Sequence, residues 1–244
     1  MTRLAHTVVL EAVDREWFAD LVELAVEVAT EYLGRDEFPL VEGRRLAPGA
    51  RYETDDGLAG FTVTEWNTRG RLAGTLVRSG ETALTMLAGE LAGGPSAHTL
   101  DVSFRGRPQP GGPRMHQFDG ELRADTVKWW DDLARGGGEP PVSAWVRHRM
   151  FRGEFGLTPA RGPDGRWSVT VTARLRGRRA GWLLSAVTVL GKSWLRRMFA
   201  TEADKVAAQW DETVAELRNQ PVGELREQIL AGIRAELLQS SRNP

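Results

Sequence analysis

Four histidines, His6, His98, His116 and His148, are the side chains of this sequence best suited to move a proton near neutral pH. They are widely separated, and no His-Glu-x-x-His or comparable cluster joins them, so spacing offers no metal site. Cysteine is absent, which removes thiolate nucleophiles, disulfides and cysteine metal ligands. Ser185 and Ser193 sit in an apolar helical stretch without a Gly-x-Ser-x-Gly elbow. The glycines of "GRPQPGG" and "ARGGGEP" come without a Walker lysine or a dinucleotide fingerprint. Chemistry must therefore come from scattered polar groups aimed into a pocket. In "WVRHRMF", strand alternation puts Val146, His148 and Met150 on one face and Trp145, Arg147, Arg149 and Phe151 on the other. His148, on the aliphatic face, is the first candidate for a pocket acid or base. Tyr52 and Arg78, with Glu65, lie on expected strands and are candidates to polarise a ligand carbonyl or hold a carboxylate. His98, Trp66, Trp130, Met150 and Trp210 are candidate ligand contacts. For each there is a structural alternative: a histidine bonded to a neighbour, a tryptophan in the core, or a polar residue on a solvated face.

The elements that would position these groups follow from periodicity. Residues 4–12 read as a β-branched strand ending near Asp14. From Arg15 to Leu33, Trp17, Phe18, Leu21, Leu24, Ala25, Val28 and Tyr32 form an apolar helical stripe, and Gly34 supplies the stop. Strands are then expected at 50–55, 59–67, 71–78, 82–91 and 97–105, joined by tight polar turns in an antiparallel meander. Alternation in "FTVTEWN" sets Phe61, Val63 and Glu65 on one face and Thr62, Thr64 and Trp66 on the other. Further on, "SAWVRHRMFRGEFGL" and "RWSVTVTARLRGR" form a hairpin around "TPARGPDG". Residues 182–218 read as helical, with Phe199, Ala203, Val206, Trp210, Val214 and Leu217 in one stripe, and 222–238 as a last amphipathic helix.

At 244 residues the chain has room for one large domain or two small ones. A formal net charge of -1 gives no basic footprint for nucleic acid. The N-terminal "MTRLAHTVVLEAVDREW" lacks the apolar core of an export signal, so a cytoplasmic location is expected. The run Trp182–Gly191 is about half a membrane span and reads as a buried or interfacial helix.

The order strand, helix, antiparallel meander and long C-terminal helix resembles the helix-grip fold of the START and polyketide-cyclase-like superfamily, often called SRPBCC. The run "GARYETDDGLAGFTVTEWNTRGRLAGTL" resembles that superfamily's early sheet, and "RWSVTVTARLRGRRAGWLLS" with the helix after it resembles its closing strand and helix. The resemblance implies an α+β fold in which a curved antiparallel sheet wraps a long C-terminal helix and leaves a cavity between them. It leaves 106–143 unmatched, and this segment, with Trp129 and Trp130, is expected to be an inserted helix, a lid or a surface element, within one domain spanning 1–220. Residues 221–244 are then a C-terminal extension and a candidate homodimer contact. The resemblance also implies a hydrophobic small-molecule ligand, no cofactor, and a cyclase or dehydratase activity in secondary metabolism. A non-catalytic carrier of a lipid or similar ligand is the alternative, and contact with a membrane surface ranks third.

Overall fold

Strand β1 (Thr2–Leu10) buries Leu4 and Val8 while Arg3, Ala5 and Thr7 face outward, the period-two pattern of a half-covered strand. The computed structural model describes residues 2–36, 38–80, 83–109, 117–177 and 192–238. Its helices and strands are α1 (Arg15–Tyr32), β2 (Leu40–Glu42), β3 (Arg51–Glu53), β4 (Ala59–Trp66), β5 (Arg71–Ser79), β6 (Ala83–Ala92), β7 (Thr99–Pro108), β8 (Phe118–Asp125), α2 (Thr126–Arg135), β9 (Val142–His148), β10 (Phe151–Arg161), β11 (Trp167–Gly177), α3 (Lys192–Asn219) and α4 (Val222–Leu238). The fold is α+β with antiparallel strand pairing, as expected. No described helix is long and apolar enough to cross a membrane. His116 and the run Trp182–Gly191 lie outside the described residues.

The chain divides into two units, one of Met1–Asp14 with Phe118–Asn219 and one of Arg15–Gln117 with Gln220–Pro244. This differs from a body at 1–220 with an appended helix. In the first unit the strands run β1-β11-β10-β9-β8, so the first strand in sequence pairs with the last. Helix α3 packs on β1. His6 Nε2 lies 2.7 Å from Asp204 Oδ1, the indole N–H of Trp210 donates to the Glu11 carbonyl at 2.9 Å, and Arg218 pairs with the Glu11 carboxylate at 2.8 Å. A long helix against an antiparallel sheet is the arrangement that the resemblance implied.

The core of this unit is tryptophan. Trp167, 7% exposed, has its ring centre 5.5 Å from Trp129, 5.4 Å from Trp130 and 6.2 Å from Trp210. Two edge-on contacts and one near-stacked contact are the geometries that aromatic quadrupoles favour. Segment 106–143 is therefore more than an inserted helix. It holds the end of β7, then β8 leading into α2, where Asp125 caps the helix by accepting the Lys128 backbone N–H at 2.8 Å. The second half of the chain thus has a strand–helix opening of its own, and both adjacent tryptophans pack on Trp167.

The second unit orders its strands β7-β6-β5-β4-β3-β2. Its core gathers Val28, Tyr32, Leu33, Phe38, Ala50, Tyr52, Ala59 and Val63 with Leu230 of α4. Helix α4 is therefore part of this core. Arg226 anchors it, pairing with Glu31 and reaching Glu27 at 3.6 Å.

Candidate functional site

Strands β4 to β7 build an apolar recess. In their register Leu76 lies opposite Phe61 and Leu87, Gly74 opposite Val63 and Gly89, and Leu72 opposite Trp66 and Leu91. Val102 and Leu100 continue the last two rows on β7. Directly opposed residues project to the same side of a sheet, so these rows share one face. Apart from Val63, which is buried beneath them, these residues line an open hollow of about 280 Å³.

A β-bulge makes this face. The register shifts between Val63 and Glu65, and the extra residue returns Trp66 to the side of Phe61 and Val63. The Trp66 ring then meets Phe61 edge-on at 6.1 Å. Uninterrupted alternation places Trp66 on the opposite face, and the bulge overrides it. The Trp66 indole N–H donates to Thr30 Oγ1 of α1 at 3.2 Å, which satisfies its polar atom and leaves its ring to the recess.

Two opposed glycines form the floor. A Cβ on Gly74 would stand 2.3 Å from the Phe61 ring, so that ring lies directly on the backbone. Around a Cβ built on Gly89 there is no atom within 4 Å, so this position opens on free space. Glycine inside a strand marks such a close approach, and it is the sequence signal that could have located the site. The one ionisable residue of the described lining, Glu90, sends its carboxylate to Arg71 at 2.6 Å.

The other candidates fall in different settings. Arg78 lies two residues beyond Leu76 on the recess face, opposite Ala59 and Thr85. Tyr52 is fully buried against Phe38, and its hydroxyl accepts the Leu46 backbone N–H at 2.8 Å. His98 is exposed beside Gly93, after a short helical turn at Gly94–Ser96.

Trp130, His148, Met150 and Trp210 belong to the first unit, and the structure does not gather them into one site. Trp130 and Trp210 both pack on Trp167. His148 and Met150 do not share a strand face, because the chain turns at Arg149 and Met150 and separates β9 from β10. The His148 ring lies 5.2 Å from Phe151, and its Nδ1 accepts the Met150 backbone N–H at 3.3 Å, which leaves the ring proton on Nε2 when the histidine is neutral. Among the described residues no group of three or more His, Asp or Glu side chains is placed to hold a metal ion.

No protein-family model matches the chain, and no curated protein matches it. Among solved structures it is similar to the Zhui aromatase/cyclase from Streptomyces sp. R1128, with 14% identity, 83% of this chain and 93% of that chain covered, and a TM-score of 0.20.

Proposed function

We propose that this protein binds an apolar small molecule in the recess of its second unit. The observation that carries the reading is the open space over Gly89, in an apolar hollow of about 280 Å³ lined by Trp66 and by the Phe61 ring that covers the opposed Gly74. That volume is near the lower end of small-molecule sites, roughly 300–1,000 Å³, and suits a body of one or two rings. The finer reading is a cofactor-independent cyclase or dehydratase of secondary metabolism. The recess would hold a reactive polyketide-like chain in one conformation, and Arg78, on the same face, would polarise a carbonyl. The sequence resemblance of the β3–β5 region supports this reading.

A carrier without catalysis is the second reading. The ionisable residue of the described lining, Glu90, has its carboxylate already engaged by Arg71. Native mass spectrometry beside a denatured, solvent-extracted sample tests the shared core of both readings. A co-purifying apolar molecule is expected from the wild type and absent from Gly89→Leu, whose side chain fills the hollow. A Gly89→Leu protein that retains the molecule would place binding elsewhere. With the ligand in hand, Arg78→Gln separates the two readings: a catalyst loses turnover and keeps affinity, whereas a carrier has no turnover to lose.

A further inference from the structure

A second cavity lies in the other unit and has the opposite chemistry. In the β1-β11-β10-β9 register Arg3 stands opposite Arg174, Arg174 opposite Glu154, and Glu154 opposite Trp145. The next row is Ala5, Thr172, Gly156 and Ser143. Both rows project away from α3, because His6, which reaches Asp204 of α3, alternates with Arg3, Ala5 and Thr7. Both rows line an open trough of about 940 Å³, to which neighbouring residues also contribute. Pro140 bounds the trough, since a Cβ on Gly156 would stand 2.9 Å from its ring, and Arg196 of α3 contributes to the lining.

The charge of this trough is unbalanced. Its lining holds Arg3, Arg152, Arg174 and Arg196 against Glu154, and Arg152 Nε already lies 3.4 Å from the Glu154 carboxylate. Trp145 is occupied too, donating its indole N–H to Glu121 at 3.0 Å. Among the described residues Arg3, Arg174 and Arg196 have no acidic partner. Like charges directly opposed on a sheet repel across about 5 Å. An anion seated between them removes that repulsion, and a guanidinium fork matches phosphate oxygens two at a time. Ser143 and Thr158 add hydroxyls to the same lining.

We infer that this trough binds a small organic phosphate with a hydroxyl-bearing body, its dianionic head between Arg3 and Arg174. The site shares no residue with the apolar recess and stands independently of it. Isothermal titration calorimetry of the full chain with glycerol 3-phosphate, glycerate and glycerol tests the inference. Glycerol 3-phosphate is expected to bind more tightly than glycerate, glycerol not to bind, and affinity to fall as salt rises. Arg174→Gln and Arg3→Gln should each weaken the phosphate about tenfold or more, and Arg174→Lys should weaken it less. Without ligand, Arg3→Gln should melt no lower than the wild type, because Arg3 faces only Arg174 in the register, whereas Arg174 also faces Glu154.

Glycerol 3-phosphate that fails to bind at millimolar concentration, or that binds Arg174→Gln as well as the wild type, overturns the site. Glycerate bound equally or more tightly overturns phosphate as the head group. A clear drop in the melting temperature of ligand-free Arg3→Gln would assign the arginines to the fold instead.

Discussion

Leu46 carries a backbone φ of 58°, the left-handed region that a branched side chain rarely adopts, and its N–H donates to the hydroxyl of Tyr52. The Tyr52 ring is fully buried, so its hydroxyl serves to pin a strained loop to the core. Tyr52→Phe keeps the ring and removes the acceptor, and about 1–2 kcal/mol of stability should go with it, read from urea unfolding. A variant as stable as the wild type would show that the loop holds without this bond. Gly74→Ala should also destabilise, by about 1–3 kcal/mol, because its Cβ meets the Phe61 ring at 2.3 Å. Gly89→Leu, over open space, should cost less in the same assay. Neither contrast is readable from sequence, where Gly74 and Gly89 look alike and Tyr52 looks like any strand tyrosine. Alternation reports which residues share a face, and only register reports what lies across from them. It fails twice here, at the bulge before Trp66 and at the turn after His148, where no glycine, proline or asparagine marks the change of direction.

At the scale of elements, the docking of α4 on α1 combines an apolar contact with a charge contact. Leu230 is buried in the core while Arg226 pairs with Glu31 at the surface. The hydrogen bond from Arg226 holds the Glu31 carboxyl below its ordinary value of 4.5, and the nearby guanidinium charges act in the same direction. A depressed carboxylate pKa contributes stability that is present above pH 4.5 and is lost as pH falls through the folded-state value. Unfolding measured between pH 7 and pH 3 should therefore show a smaller acid loss in Arg226→Gln than in the wild type. The difference should be modest, as both groups are solvated, and should shrink in high salt. Identical acid limbs would mean that Leu230 and its neighbours hold α4 without the pair. Elements with strong periodicity, α1, α4 and the strands β4 to β7, were legible in the sequence within a few residues. The opening β8–α2 was not, because "GELRAD" alternates weakly and its strand is recognisable only once paired with β9.

Both units are assembled from distant parts of the chain, and this sets how the molecule should fail. The first takes strand β1 from the N-terminus and the rest from Phe118–Asn219, while the second takes Arg15–Gln117 and recovers α4 from the C-terminus. Bringing such segments together costs loop-closure entropy, so each borrowed element must be held by substantial burial. For α4 that burial is Leu230 at 4% exposure, with Ile229 and Ile233 packed on the same core as Val28, Tyr32 and Phe38. A chain ending at Asn219 strips this cover from the second unit and leaves every described element of the first in place. Truncation should thus act unequally. Limited proteolysis of the shortened chain should cut first within Arg15–Gln117, whereas the tryptophan cluster of Trp129, Trp130, Trp167 and Trp210 should keep its near-ultraviolet circular dichroism. If the tryptophan signal is lost together with the second unit, the two fold as one cooperative body and the division marks contact density alone. If protease resistance is unchanged throughout, α4 is an appendage after all. The measured pattern would also decide where ligands can be lost independently, since the apolar recess should empty with the second unit while the arginine trough of the first continues to bind.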